Sequence, residues 1–337
     1  MKNKILTLFI LSLILPLFVG AQNTAPNTNT TILPTTVISA PIPDKFVVSL
    51  NTTQDEIIQS LLDQKYISDK NAFIKIFSKK KGDILPGAYK LTFSMSPTQV
   101  SKILHARPYM AWVVIPPGLR KEEIADLLVT NLRWTKSQKN KWLTATKTKN
   151  DYIEGVYFPD TYLIPIAEKP EQVAKRLIAK FNEKFAPYLA QFTKKNMKWT
   201  TGLTLASIVQ REASGDADMP LIAGILLNRL NKKIPLGVDA TLQYMRGNRG
   251  AGFWAPIKVA DKKVISPYNT YKNVGLPPHP ISNPGIAAIE AVLNPTTTDC
   301  IYYLHDKDRV THCAVTYEEH QKNIEQYLKN TSNILKP

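Results

Sequence analysis

Acidic residues are scarce in this chain of 337: 27 Asp and Glu stand against 43 Lys and Arg, for a formal net charge of +16. Cysteine is nearly absent. Cys300 and Cys313 are the only two, too few for a disulfide scaffold and not spaced as a zinc site. No other His, Cys and Asp grouping has metal-ligand spacing, so neither a metal nor a cofactor is expected. A Gly-x-Ser-x-Gly elbow, a His-Glu-x-x-His pair and a phosphate-cradling Gly-rich loop are also missing, which removes the hydrolase and nucleotide-binding classes built on them. A long hydrophobic run is lacking too. Lys2 and Lys4 precede a largely apolar stretch from Ile5 to Val19, broken at Ser12 and short of the about 20 residues a membrane span needs. Val19-Gly20-Ala21 fits a cleavage site. Residues 1–21 therefore read as an export signal or a short anchor. The rest is expected outside the cytoplasm, either membrane-attached and outward-facing or secreted. Export argues against nucleic acid as a partner. It leaves an anionic membrane or wall surface to match the positive charge.

What is present divides into an exported linker and folded material. Residues 22–44 are rich in Asn, Thr and Pro and cannot bury a core. A first unit, 45–106, reads as strand (Phe46–Leu50), helix opened by the capping box Thr53-x-x-Glu56, a second helix (Asp69–Phe77) and strand (Ala88–Phe93). Ser96-Pro97 then starts another helix. An intermediate α/β region, 107–199, holds a strand at Ala111–Ile115 and helices at Leu119–Leu132, Lys136–Thr146 and Glu171–Phe192. Region 200–330 holds helices at Leu205–Glu212, Met219–Leu230 (Asp218 as N-cap), Ile286–Leu293 and Tyr317–Leu328. It also holds a hairpin of Cys300–Leu304 with Val310–Val315.

Glu212 carries the chemistry. Leu205, Ile208, Val209 and Glu212 fall at i, i+3, i+4 and i+7, on one helical face. A carboxylate placed on a core-facing stripe should have a raised pKa and can serve as a general acid. The alternative is a boundary Glu that pairs with a Lys. Asp239, Thr241 and Gln243 alternate and would share one face if extended. Tyr244, Tyr268, Asn269 and Tyr271 add aromatic faces and an amide of the kind a sugar site uses, although turn chemistry also explains the second group. Asp239 is the obvious second carboxylate. Glu290 and Asp299 read as surface groups. A single acid suffices where the substrate supplies its own nucleophile, since effective molarities reach on the order of 10⁵ M. His305 and His312 can face each other across the hairpin, with no third ligand. Cys300 and Cys313 sit symmetrically about the turn near Asp306-Lys307. Symmetric pairing would place them opposite each other, at a distance a disulfide can span.

Six ordered motifs carry a resemblance: Ile153–Tyr162 (IEGVYFPDTY), Leu205–Glu212 (LASIVQRE), Val238–Thr241, Ser266–Tyr271 (SPYNTY), Gly275–Pro278 and Pro280–Gly285. From about Phe46 to Leu328 the chain resembles the endolytic murein transglycosylase, or YceG-like, family. The resemblance implies an α+β fold, with a LysM-like N-terminal subdomain followed by a mixed α/β catalytic domain. It implies non-hydrolytic cleavage inside peptidoglycan glycan strands, between N-acetylmuramic acid and N-acetylglucosamine. The products would be 1,6-anhydro ends, and nascent strand length would be limited. Glu212 occupies the catalytic position. Asp239, Thr241, Gln243, Tyr244, Tyr268, Asn269 and Tyr271 are the substrate-binding candidates, with Asp239 able to stabilise charge at the anomeric carbon or to serve structure alone. Peptidoglycan synthases are candidate partners. The chain departs from the family at Gln210, where relatives often carry a first Glu, and at His279, where a small residue is usual and a histidine would narrow a groove. The competing reading is a peptidoglycan-binding envelope protein without activity, resting on Gln210.

Overall fold

The computed structural model describes residues 44–80, 82–146 and 154–329. The apolar N-terminus, nearly all of the linker and the start of the first resemblance motif lie outside them. Among the described residues, no helix is long and apolar enough to cross a membrane.

The first unit follows its local signals. Strand β1 (Asp44–Val48) leads to α1 (Gln54–Asp63), where Thr53 and Glu56 close the expected capping box. Asp69 caps α2 (Lys70–Phe77), and β2 (Gly87–Leu91) returns antiparallel to β1 with Phe46 opposite Tyr89. Ser96 and Gln99 box the start of α3 (Pro97–Leu104), with Pro97 at the first turn. Phe46, Ile58, Leu61, Phe73, Phe77, Leu91 and Leu104 form this unit's own core.

The sheet then continues into the rest of the molecule. Strands β3 (Met110–Val114) and β4 (Thr161–Pro165) extend it in the order β1-β2-β3-β4, all antiparallel. The β2–β3 junction is narrow, a bridge of Ala88 to Met110. Gly87 makes it possible: its φ is +151°, and a Cβ there would lie 2.4 Å from the Met110 carbonyl oxygen. Trp112 reinforces the joint by donating its Nε1–H to the Val48 carbonyl at 2.9 Å. No parallel pair occurs among the described strands, so the expected mixed α/β catalytic domain is α+β throughout.

A second core spans both later regions. It is built from α4 (Lys121–Leu132), α5 (Lys136–Ala145), the long α6 (Pro170–Lys194), α7 (Trp199–Glu212), α8 (Met219–Asn231) and α10 (Ile286–Leu293). Trp142, Tyr157, Leu177, Leu203, Ile208, Ile222 and Ile289 are among its buried members. One expectation fails here. Residues 239–246 form a helix, α9 (Asp239–Arg246), rather than an extended segment. Asp239 and Gln243 therefore share a face at i, i+4, while Thr241 points inward. Asp218 is the N-cap of α8, as expected, although its side chain makes no capping bond. The hairpin of β5 (Tyr302–His305) and β6 (Thr311–Ala314) forms and is followed by α11 (Tyr317–Ile324).

A buried polar cluster ties α4, the 154–158 segment and the 281–285 loop together. Glu154 is fully buried. Its Oε1 accepts from the Lys121 N–H at 3.0 Å and from Asn283 Nδ2 at 2.6 Å, while Oε2 has no partner among the described residues. Burial, reinforced by the nearby Glu122 charge, pushes its pKa up to about 8. The folded state thus holds a proton here that the unfolded chain gives up at ordinary carboxyl pH. Stability is complete below the unfolded pKa and falls as pH rises toward about 8. Glu154→Gln keeps the Oε1 acceptor and cannot ionise. Thermal melts from pH 5 to 8.5 should show the wild type losing roughly 3 °C or more relative to this variant. Parallel curves would rule out ionisation of Glu154.

Candidate active site

Glu212 is the last residue of α7 and keeps one partly accessible face. Its carboxyl group nonetheless lies deep enough for desolvation to dominate, and its pKa is raised. Asp239 raises it further. A hydrogen bond from Tyr303, the Ala240 backbone N–H and the neighbourhood of His305 act in the opposite direction without overcoming burial. Helix ends add to this balance. The C-terminus of α7 presents carbonyl dipoles, which disfavour a carboxylate, while the N-terminus of α9 offers an N–H. The result is an acid held neutral at a pH where an exposed glutamate has lost its proton.

The tyrosines that surround it come from two directions. Tyr303 Oη donates to Glu212 Oε2 at 2.6 Å. Burial and the Glu212 charge hold the Tyr303 hydroxyl well above its ordinary pKa. Tyr271 Oη donates to Asp239 Oδ1, and burial together with that bond raises its pKa as well. Asp239 itself is exposed. Glu212, Asp239, Tyr271 and Tyr303 thus form one electrostatic group, and Tyr303 is the member that sequence reasoning missed. It lies 91 residues from Glu212, on a strand with no local feature separating it from Tyr302.

The remaining candidates divide by what their polar atoms do. Tyr244 and Tyr268 pack ring to ring at 5.1 Å, and the Arg120 guanidinium lies 4.2 Å from the Tyr244 ring. Gln243 donates to the Trp254 and Ala255 carbonyls at 3.0 and 3.2 Å, fixing the loop after α9. Thr241 and Asn269 are fully buried. Thr241 bonds the Val238 carbonyl and the Thr270 hydroxyl, and Asn269 bonds the Lys262 and Val264 carbonyls. Neither presents an atom to a substrate, which corrects their expected contact role. They shape the walls that Tyr268 and Tyr271 stand on.

Asp218 serves the hairpin. It accepts from the Ser214 and Gly215 N–H groups, the Thr311 hydroxyl at 2.7 Å and His305 Nε2 at 3.1 Å. Burial pushes its pKa up, but these bonds outweigh it and leave the group lowered. His312 bonds Asp306 at 2.8 Å. Across the ladder His305 pairs with Thr311 and His312 with Leu304, so the two histidines are not opposite each other. Among the described residues, no group of three or more His, Cys, Asp or Glu could hold a metal. Cys300 and Cys313 are joined, with Cα atoms 5.8 Å apart. The register differs from the symmetric one expected: Cys313 pairs with Tyr303, and Cys300 lies just before β5. Gln210 accepts from the Gly285 N–H at 3.0 Å, at the start of α10. His279 lines a cavity of about 570 Å³ with Thr200 and Thr204. Thr204 is two helical turns from Glu212, roughly 12 Å along the axis.

These features define an α+β protein with a buried acid–tyrosine pair where two helix ends meet. The chain belongs to the YceG-like family, which it matches over residues 46–326. It is 29% identical over 293 residues to an endolytic murein transglycosylase of Streptococcus pneumoniae serotype 2 (strain D39), covering 76% of this chain and 53% of that protein. It is 35% identical over 179 residues to the endolytic murein transglycosylase of Bacillus subtilis (strain 168), covering 53% of this chain and 49% of that one. The chain thus spans about half the length of the curated relatives it matches. A crystal structure of a yceG-like protein from Listeria monocytogenes superposes with a TM-score of 0.60 at 28% identity, over 84% of this chain and 99% of that one.

Tyr303→Phe tests the pair without reference to any reaction. The lost bond lowers the Glu212 pKa, so carboxyl-¹³C NMR should show Glu212 titrating at higher pH in the variant. Global stability should fall by about 1 kcal/mol. An unmoved titration would remove Tyr303 from the site.

Proposed function

We propose that this chain is an exported lytic transglycosylase that cuts within peptidoglycan glycan strands. The observation that carries the reading is Glu212, a carboxyl kept neutral by burial yet reachable on one face, at the position the resemblance marks as catalytic. Relatives named endolytic murein transglycosylase over the matched residues support it.

In this reading Glu212 donates its proton to the glycosidic oxygen between N-acetylmuramic acid and N-acetylglucosamine. The carboxylate so formed is stabilised by the Tyr303 hydroxyl and the Ala240 N–H. It then takes the proton of the muramyl C6 hydroxyl as that oxygen attacks the anomeric carbon, closing a 1,6-anhydro ring. No water enters. Asp239, exposed and tied to Tyr271, stands close enough to raise the acid's pKa and is placed to stabilise positive charge at the anomeric carbon. Tyr244, Tyr268 and Tyr271 supply the sugar-facing walls. The first unit, 45–106, is read as LysM-like and as a second hold on the glycan. Lys2 and Lys4 ahead of an apolar stretch support a folded part outside the cytoplasm, attached or released, within reach of wall synthases. The departure at Gln210 has a structural counterpart, its amide oxygen accepting the Gly285 N–H.

Glu212→Gln should retain the fold and lose at least about 10³-fold in turnover, since an amide cannot act as the acid. Wild-type cleavage of purified sacculi should decline as pH rises through the elevated Glu212 pKa, because the acid must enter protonated. Digestion in heavy-oxygen water should leave the new ends unlabelled and bearing the anhydro ring by mass spectrometry. Label at those ends would mean hydrolysis, and normal turnover by Glu212→Gln would remove the assignment.

A further inference from the structure

Arg211, the residue beside Glu212, differs from the other arginines around the site. Arg120 gives its guanidinium to Glu122 at 3.0 Å and to the Tyr244 carbonyl at 2.8 Å. Arg246 is tied to Asp261 and the Pro256 carbonyl, and Arg229 to the Ile301 and Leu236 carbonyls. Arg211 has no hydrogen bond or ion pair among the described residues, and its Nε is buried without a partner. What holds it is the Trp254 ring, whose centroid lies 3.9 Å from the guanidinium carbon. The other side is bounded by Gly118, where a Cβ would come within 3.4 Å of Nη1 and where φ is +85°. Glu123 attracts the cation from a distance, but its Oε2 is already taken by the Trp254 Nε1–H at 2.8 Å and the Arg120 N–H at 3.0 Å.

A partly buried guanidinium with its donors unused is costly. A stacked aromatic ring offsets only part of that cost. Its planar fork matches a carboxylate with two parallel bonds. The adjacent Glu212 acts on it through space, with no hydrogen bond or ion pair to it among the described residues. We infer that Arg211, stacked on Trp254 over Gly118, is the anion-binding residue of the active site and takes a carboxylate of the substrate beside the bond to be cut. This rests on the glycan-cleaving reading above. In a muropeptide strand the carboxylate has two sources: the lactyl ether of the muramyl residue where the peptide is absent, or the stem peptide where it is present.

The test is binding by the full-length protein, read from tryptophan emission or heat. The ligands are a muramyl disaccharide with a free lactyl carboxylate and its methyl ester, then a disaccharide-peptide and its fully esterified form. Wild type should bind the acid about tenfold or more tightly than the ester in one of the two pairs, and that pair names the source. Arg211→Gln should erase the difference, while Arg211→Lys should keep part of it, having the charge but not the fork. Equal affinity of acid and ester for the wild type in both pairs, absence of binding included, overturns the inference. So does an undiminished gap in Arg211→Gln. An acid preference that depends on Arg211, in a wild type that forms no anhydro product, leaves the inference standing and removes the function. Anhydro product without any acid preference does the reverse.

Discussion

Asn283 is the residue on which the placement of the acid depends. Its Oδ1 accepts the Tyr157 N–H at 2.8 Å, and its Nδ2 donates to Glu154 and to the Leu119 carbonyl. Its backbone accepts from Gly118 and donates to Leu119. One buried amide thereby fixes α4, the 154–158 segment and the 281–285 loop to one another. That loop is stitched in turn to α7: Ser207 Oγ accepts the Ile281 N–H, Ser282 donates back to the Ser207 carbonyl, and Gln210 accepts the Gly285 N–H. Helix α7 ends at Glu212. The chemistry at its last residue is therefore aligned by polar contacts spread over its preceding turns. Such contacts specify position more sharply than apolar packing, because a misplaced buried amide leaves donors and acceptors unmatched.

The site itself combines two opposing demands. In the proposed reaction the acid must be neutral before it acts and stable as an anion afterwards. Burial and Asp239 satisfy the first; Tyr303 and the Ala240 N–H satisfy the second. Because these donors are preset, charge formed on Glu212 meets dipoles already oriented toward it. The adjoining Arg211 is stacked on Trp254, so cation and acid are neighbours in sequence with no ion pair between them among the described residues.

Much of this was legible in the chain and some was not. Capping boxes at Thr53 and Ser96, the periodic stripe ending at Glu212 and the hairpin are local features, and local physics writes them into short stretches of sequence. The α9 helix was misread because its polar residues alternate, a pattern that fits a strand as well as a helix with one buried threonine. Asp218 stands at the N-cap of α8 as its position implies, but its side chain is spent on the Ser214 and Gly215 N–H groups and on His305 and Thr311, 87 and 93 residues away. Thr241 and Asn269 have the side chains of a sugar site but are consumed by backbone carbonyls, and no spacing rule distinguishes those uses. Tyr303 and Arg211 gain their meaning from contacts made across the fold.

The hairpin that carries Tyr303 consists of two strands of four residues each, a length that would open readily by itself. Its root is closed by the Cys300–Cys313 bond and held to α8 by Asn228 and Arg229 through the Thr298, Cys300 and Ile301 carbonyls. Fraying, the commonest local motion of a short ribbon, is thereby confined to the turn at Lys307 and Asp308. Tyr303 lies directly opposite Cys313 in the ladder, at the covalently closed end, where amide exchange should be slowest. The tyrosine that steadies the acid is thus kept out of the hairpin's breathing.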